Sequence, residues 1–146
     1  MLDTNILMNL VRGNEQGKQA KSWVDSLTDP LLIISVVSVA EAQSLVVKWN
    51  WGTKKVEKLT ALINQLICID IEMENQLLVE HYVNIDAYSN RKQAAPNGEL
   101  LEGSAQRMGK NDLWIAATAH TLEATLCTTD GDFDHLHTSF FTVKKF

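Results

Sequence analysis

Leu31 to Val37 is an apolar run rich in Ile and Val, and at Ser38 it gives way to a helical pattern lasting to about Trp49. A run of that length reads as a strand buried on both faces, the usual condition of strands in parallel sheets. The same succession recurs along the chain. Ile67 to Asp70 reads as a second short strand, followed over about 73 to 88 by a helix on which Leu77, Leu78, His81 and Ile85 repeat. Asn111 to about Glu123 is a helix carrying Leu113, Ile115, Ala116, Ala119 and Leu122, and it leads into a buried strand at Leu126-Cys127-Thr128. Strands that alternate with helices argue for a parallel α/β sheet.

The remaining segments fit that plan. Met1-Leu2 runs into the polar cluster Asp3-Thr4-Asn5, typical of strand ends and caps. A short helix from Ile6 to Val11 stops at Gly13-Asn14, and a second over about 15 to 27 places Ala20, Trp23, Val24 and Leu27 on one face before Asp29-Pro30 breaks it. Gly52-Thr53 opens a helix with Val56, Leu59, Leu62, Ile63 and Leu66 at helical spacing. A short helix near 132 to 137 and a strand from Phe140 to Val143 close the chain. Residues 89 to 109 are loop chemistry (Ser89-Asn90-Arg91-Lys92, Ala95-Pro96-Asn97-Gly98), with a short helix expected at about 99 to 102. A loop of that length in a compact domain is usually a lid, a substrate-contacting loop or a partner site.

At 146 residues, 45% apolar and 21% charged, the chain has material for one domain, 1 to 146, with a core that needs no disulfide staples. Cys68 and Cys127 lie in apolar settings without metal-ligand spacing, and read as two buried, reduced thiols of a cytoplasmic protein. No apolar run approaches the roughly 20 residues a bilayer span needs, so no membrane is expected. The start lacks the basic region and apolar stretch of a signal peptide. A net charge of −5 predicts weak affinity for nucleic acid without metal, or a basic partner.

Four acids sit where strand turns over to helix: Asp3, Glu41, Asp112 and Asp130. Each has a purely structural use. Ser38-Val39-Ala40-Glu41 fits a capping box. Asp112 suits the first turn of a helix, and Asp3 and Asp130 suit polar turns. Jointly they suggest more. In an open parallel sheet such junctions gather outside the carboxyl ends of the strands. Four carboxylates gathered there repel one another unless a cation neutralises them, and hard oxygen ligands suit Mg²⁺ or Mn²⁺.

Leu2-Asp3-Thr4-Asn5-Ile6-Leu7, Ser35-Val36-Val37-Ser38-Val39-Ala40-Glu41, Gly109-Lys110-Asn111-Asp112-Leu113-Trp114-Ile115-Ala116 and Cys127-Thr128-Thr129-Asp130-Gly131-Asp132-Phe133 occur in one order from end to end. Together they resemble PIN-domain ribonucleases, and within them the VapC-type toxins of toxin–antitoxin pairs. The resemblance implies a doubly wound parallel sheet flanked by helices, an α/β/α sandwich. It implies Asp3, Glu41, Asp112 and Asp130 as catalytic metal ligands, with Asp132 an accessory. Thr4, Asn5 and Thr128 would orient the carboxylates. Two departures stand out: a stunted first strand, either a true start at Met1 or a chain missing upstream residues, and a loop at 89 to 109 longer than compact toxins carry.

The chemistry expected is metal-dependent hydrolysis of RNA phosphodiesters to a 5′-phosphate and a 3′-hydroxyl. The substrate would be single-stranded RNA or a tRNA or rRNA loop. Arg91, Lys92, Arg107 and Lys110, in or beside the long loop, are candidates to hold its phosphates, and Tyr88 and Trp114 to stack its bases, although Trp114, beside Leu113 and Ile115, also fits a core. His81, His120, His135 and His137 read as surface or packed imidazoles rather than general bases. The resemblance further implies an antitoxin partner and a homodimer formed through N-terminal helices, where Trp23, Trp49 and Trp51 lie. Three other readings remain: a PIN nuclease of RNA processing or decay that is no toxin, a PIN-like RNA-binding module with little activity, and a phosphatase or receiver-like protein. The last would need a Lys and a hydroxyl residue ending later strands, and no strand expected from the sequence ends in a Lys.

Overall fold

The structure, a computed structural model, describes residues 1–72 and 74–146. The helix start expected near residue 73 falls on Met73, outside the described residues. The architecture is α/β with parallel strands, as the alternation predicts. The elements are α1 (Thr4–Arg12), α2 (Glu15–Asp25), β1 (Ile33–Ser35), α3 (Val36–Lys48), α4 (Thr53–Ile63), β2 (Ile67–Ile69), α5 (Gln76–Ser89), α6 (Lys110–Thr121), β3 (Leu126–Thr128), a 3-10 turn (Gly131–Leu136) and β4 (Val143–Lys145).

The chain forms two compact units. The first comprises Met1–Asp70, Cys127–Thr129 and Lys145–Phe146. Its sheet is built on a single residue, Leu2, which bridges in parallel to Ile34 on one side and to Cys127 on the other. The stunted strand of the sequence is thus one residue wide and central. β1 continues outward to β2, parallel, with Ile33 opposite Ile67 and Ser35 opposite Ile69. Around this sheet Ile6, Leu7, Met8, Val11, Ala20, Ile34, Ala42, Leu59 and Leu66 form one apolar core. α1 is its hub, packing on α2, α3 and α4. Gly17 lets α2 approach α1 closely, since a Cβ there would sit 2.3 Å from the Asn9 carbonyl oxygen.

Two expectations fail in this unit. Cys68 is exposed, not buried, because β2 is an edge strand with one neighbour. Helix α3 begins at Val36 rather than Ser38, with Ser35 as its cap: the Val37 amide donates to Ser35 Oγ at 3.2 Å. The polar side chain inside the apolar run takes the capping role, so the strand is shorter than the run.

The second unit comprises Ile71–Leu126 and Asp130–Lys144. α5 packs on α6, burying Leu78, Ile85, Leu113, Ile115, Ala116 and Ala119. Leu77 is exposed instead, one step off the stripe. Residues 90–109 hold no helix or strand, so the helix expected at 99 to 102 is absent. The segment is nonetheless laced down. Ala95 donates to Glu99 O at 2.8 Å and Gln106 to Ser89 O at 2.8 Å, the Arg91 guanidinium donates to the Gly103 carbonyl, and Ala95 and Leu101 are buried. The last strand lies at Val143–Lys145, not Phe140 to Val143, so one strand does end in a lysine, contrary to expectation. Phe140 and Phe141 are buried in a turn, where Phe140 donates to Leu136 O at 3.0 Å and Thr138 to Phe141 O at 2.9 Å.

Candidate active site

In the first unit the sheet fixes Asp3 from the backbone outward. The Leu2 amide donates to Ile33 O at 2.9 Å and the Asp3 amide to Cys127 O at 3.0 Å. The chain then turns into α1 with Asp3 as its cap, so the carboxylate stands at the positive end of a helix dipole. Asp3 is 3% exposed. Its Oδ1 accepts from the Thr4 amide at 2.6 Å and its Oδ2 from Thr128 Oγ1 at 2.7 Å. Burying a carboxylate is costly, and hydrogen bonds to a charged group return about 1.5–3 kcal/mol each.

Thr4 carries the cluster onward. Its Oγ1 donates to Glu41 Oε2 at 2.6 Å. Because α3 starts at Val36, Glu41 lies in its second turn and is not the acid of a capping box. One turn earlier on the same helix, Ser38 is fully buried and its Oγ has no hydrogen-bond partner among the described residues. Asn5 is exposed on α1.

The second unit holds Asp112 and Asp130. Asp112 lies in the first turn of α6, after the cap residue Gly109. A Cβ on Gly109 would stand 2.8 Å from Asp112 Oδ2. Gly109 has φ −64°, so this glycine supplies space for a carboxylate rather than a left-handed backbone. Asp130 caps the 3-10 turn, its Oδ1 accepting from the Asp132 amide at 3.0 Å, and Asp132 itself is exposed. Arg91, Lys92, Arg107 and Lys110 are all exposed, although Arg91 also staples the loop.

Tyr88 does not offer a face for a base. It is 3% exposed, edge-on to Phe140 at 5.1 Å. Trp114 is half-buried against Tyr82, with ring centroids 4.4 Å apart. All four imidazoles have structural partners: His81 with Thr121 Oγ1, His120 with Phe140 O and His135 with Ser89 Oγ, each at 2.8 Å, while His137 Nδ1 accepts from the Val143 amide at 3.0 Å. Burial pushes His135 below its ordinary pKa, and burial, with His120 beside it, does the same for His81.

The donor chemistry of these acids, carboxylate oxygen throughout, fits a hard divalent cation. The structure joins Asp3 and Glu41 through Thr4. Among the described residues no three His, Cys, Asp or Glu side chains form a ready-made cage. The sequence offers Ser38 only as a cap and Gly109 only as part of the family pattern, so their places beside Glu41 and Asp112 were missed; a Gly three residues before an acid at a helix start is the signal that could have marked the second.

No curated protein matches the chain. Solved structures do. VapBC2 from Rickettsia felis, bound to a promoter DNA fragment, is 21% identical with a TM-score of 0.72, covering 100% of this chain and 97% of that one. VapBC-1 from nontypeable Haemophilus influenzae is 23% identical with a TM-score of 0.66, covering 99% and 96%. FitAcB from Neisseria gonorrhoeae is 23% identical with a TM-score of 0.64, covering 97% and 94%. At these identities the likeness is one of fold. The family model of the PIN domain matches residues 1–138, and the chain therefore belongs to the PIN domain family.

Proposed function

We propose that this chain is a metal-dependent endoribonuclease that cuts RNA phosphodiesters to a 5′-phosphate and a 3′-hydroxyl, and that it is the toxin of a toxin–antitoxin pair. Membership of the PIN domain family supports nuclease chemistry. The observation that carries the reading is the buried Asp3 carboxylate, gripped by two donors and coupled through Thr4 to Glu41. Such a cluster orients carboxylate oxygens at a cost in stability that a cap or turn does not require.

Asp3, Glu41, Asp112 and Asp130 are the residues proposed to hold Mg²⁺ or Mn²⁺, with Asp132 as accessory. A divalent ion supplies Lewis acidity toward water and toward phosphoryl oxygens. The chain's own contribution is orientation. Thr128 and the Thr4 amide fix the Asp3 carboxylate, and Thr4 Oγ1 fixes Glu41, so neither must reorganise as charge develops. Gly109 leaves room for Asp112. Lys92, Arg107 and Lys110 are exposed cations suited to RNA phosphates.

The toxin reading is supported by structural relatives, one named as a toxin–antitoxin complex from Klebsiella pneumoniae and others as VapBC structures, together with the resemblance to VapC-type toxins. An antitoxin partner, a homodimer and a cytoplasmic location belong to that reading. Among the described residues no helix is long and apolar enough to cross a membrane. The test is cleavage of single-stranded RNA with Mg²⁺, Mn²⁺ or EDTA, with the new ends mapped chemically. Metal-dependent scission leaving 5′-phosphates is expected. Absence of cleavage with either metal contradicts the proposal.

A further inference from the structure

α1 and α3 meet twice. Near their starts Thr4 Oγ1 donates to Glu41 Oε2 at 2.6 Å. At their ends the Arg12 guanidinium lies over the Trp49 ring, 4.3 Å from its centroid, and 5.8 Å from that of Trp51. Trp49 and Trp51 stand 6.0 Å apart at 37°, and Lys55 Nζ lies 5.3 Å from the Trp51 centroid. Trp49 is 41% exposed. Trp49, Asn50, Trp51, Gly52, Thr53, Lys54 and Lys55 wall an open pocket of about 580 Å³.

The charge here runs against the rest of the chain. Residues 42–69 carry four lysines (48, 54, 55, 58) and one acid, Glu57, a balance of +3 in a protein of net −5. Arg12 and Lys54 make no ion pair among the described residues, and Lys55 makes none either. Lys58 is spent on the Val11 carbonyl at 2.8 Å, at the end of α1. Gly52 caps α4 without a side-chain bond, so the positive end of that helix adds to the field. Cations set against tryptophan faces, without carboxylates to neutralise them, suit a ligand that brings both negative charge and flat rings.

We propose that the Trp49–Trp51–Lys54–Lys55 pocket, with Arg12 stacked on Trp49 beside it, is a second binding site for single-stranded RNA, holding phosphates on the cations and a base against the exposed tryptophan surface. This rests on the ribonuclease reading and extends it: RNA would be held at a place remote from the carboxylates. Glu41 and Trp49 are eight residues apart on one helix, about 12 Å at ~1.5 Å per residue. That is the span of roughly three or four stacked nucleotides at ~3.4 Å each. The pocket therefore favours substrates extending a few nucleotides beyond the scissile bond, in a protein whose net charge otherwise repels them.

The test separates binding from cutting. A short single-stranded oligoribonucleotide is titrated into the intact protein in EDTA, following tryptophan fluorescence at several salt concentrations. Quenching is expected. The paired substitution Lys54→Glu and Lys55→Glu should weaken binding at least about tenfold and flatten the log–log salt dependence by about 1.4, since each phosphate contact contributes roughly 0.7 for a single strand. Trp49→Ala should weaken binding by about tenfold with the salt slope retained. In Mn²⁺, the charge-reversed variant should still cut a substrate too short to reach the pocket at the parent rate. Unchanged RNA affinity in both variants overturns the proposal, and so does loss of a dimer or of an antitoxin complex with RNA affinity intact. If the parent protein binds RNA here but never cuts it, the nuclease reading fails and the site stands. If it cuts RNA while the variants bind normally, the reverse holds. If it neither binds nor cuts, both fall.

Discussion

Asp3 and Asp112 are both acids at the start of a helix, yet they are placed by different means. Asp3 is held by a residue 125 positions away, Thr128, and its neighbour Thr4 reaches Glu41, 37 positions away. Asp112 lies against Gly109, three residues before it, and Asp130 accepts from Asp132, two residues after it. The first unit's carboxylate cluster includes bonds that span the chain, and local turns help to shape the acids of the second. A cluster of the first kind is as rigid as the core around it. The local contacts of Asp112 and Asp130 make their placement sensitive to the residues next to them.

That contrast can be broken or sharpened by substitution. The largest effect is expected for Asp112→Asn, which removes charge but keeps shape: cleavage should fall by about 10²–10³-fold or more, with the melting temperature little changed. Retained activity would remove Asp112 from the ligand set. Thr128→Val should cut metal affinity by about 10–100-fold and destabilise the protein by about 1–3 kcal/mol, because a buried carboxylate oxygen loses its donor. Isothermal titration with Mn²⁺ and chemical denaturation read the two parts. Gly109→Ala should behave differently. It should lower activity between about threefold and a hundredfold by displacing the Asp112 carboxylate, while stability moves by no more than about 1 kcal/mol. Equal stability losses in Thr128→Val and Gly109→Ala would erase the distinction between the units.

The smallest effect concerns pH. His135, bonded to Ser89, is held by burial below its ordinary value of 6.5. The unfolded chain therefore binds more protons once the pH drops under 6.5, and stability rises with pH across that window. The contribution is complete above about 6.5 and lost as the pH falls through the folded value. His135→Gln should flatten the decline in melting temperature on acidification. An unaltered profile would show that the imidazole does not titrate between the two states.

The same contrast explains what the sequence revealed. The alternation of strand and helix and the stunted central strand at Leu2 are legible because each is written locally, in apolar runs and helical spacing. The position of the α3 cap was misplaced because Ser35 and Ser38 are both good caps, and only the pairing of Ile33–Ser35 with Ile67–Ile69 decides between them. Cys68 looks buried in sequence, but an edge strand exposes it, and edge or centre is a property of the sheet. Tyr88, suggested as a stacking face, is consumed by packing on Phe140. The loop at 89 to 109 is visible as a loop, while the bonds that lace it down are not. The bonds from Thr4 and Thr128 to carboxylates are non-local; the family pattern suggested those residues, and nothing in their spacing did.

The central claim is that Asp3, Glu41, Asp112 and Asp130 serve one divalent-ion site. A crystal grown with Mn²⁺ tests it most directly, through anomalous scattering. The account predicts a strong peak ligated by oxygens of Asp3 and Asp112, with Glu41 and Asp130 bound directly or through water. Strong manganese peaks confined to other carboxylates, with these four unliganded at saturating metal, would contradict it.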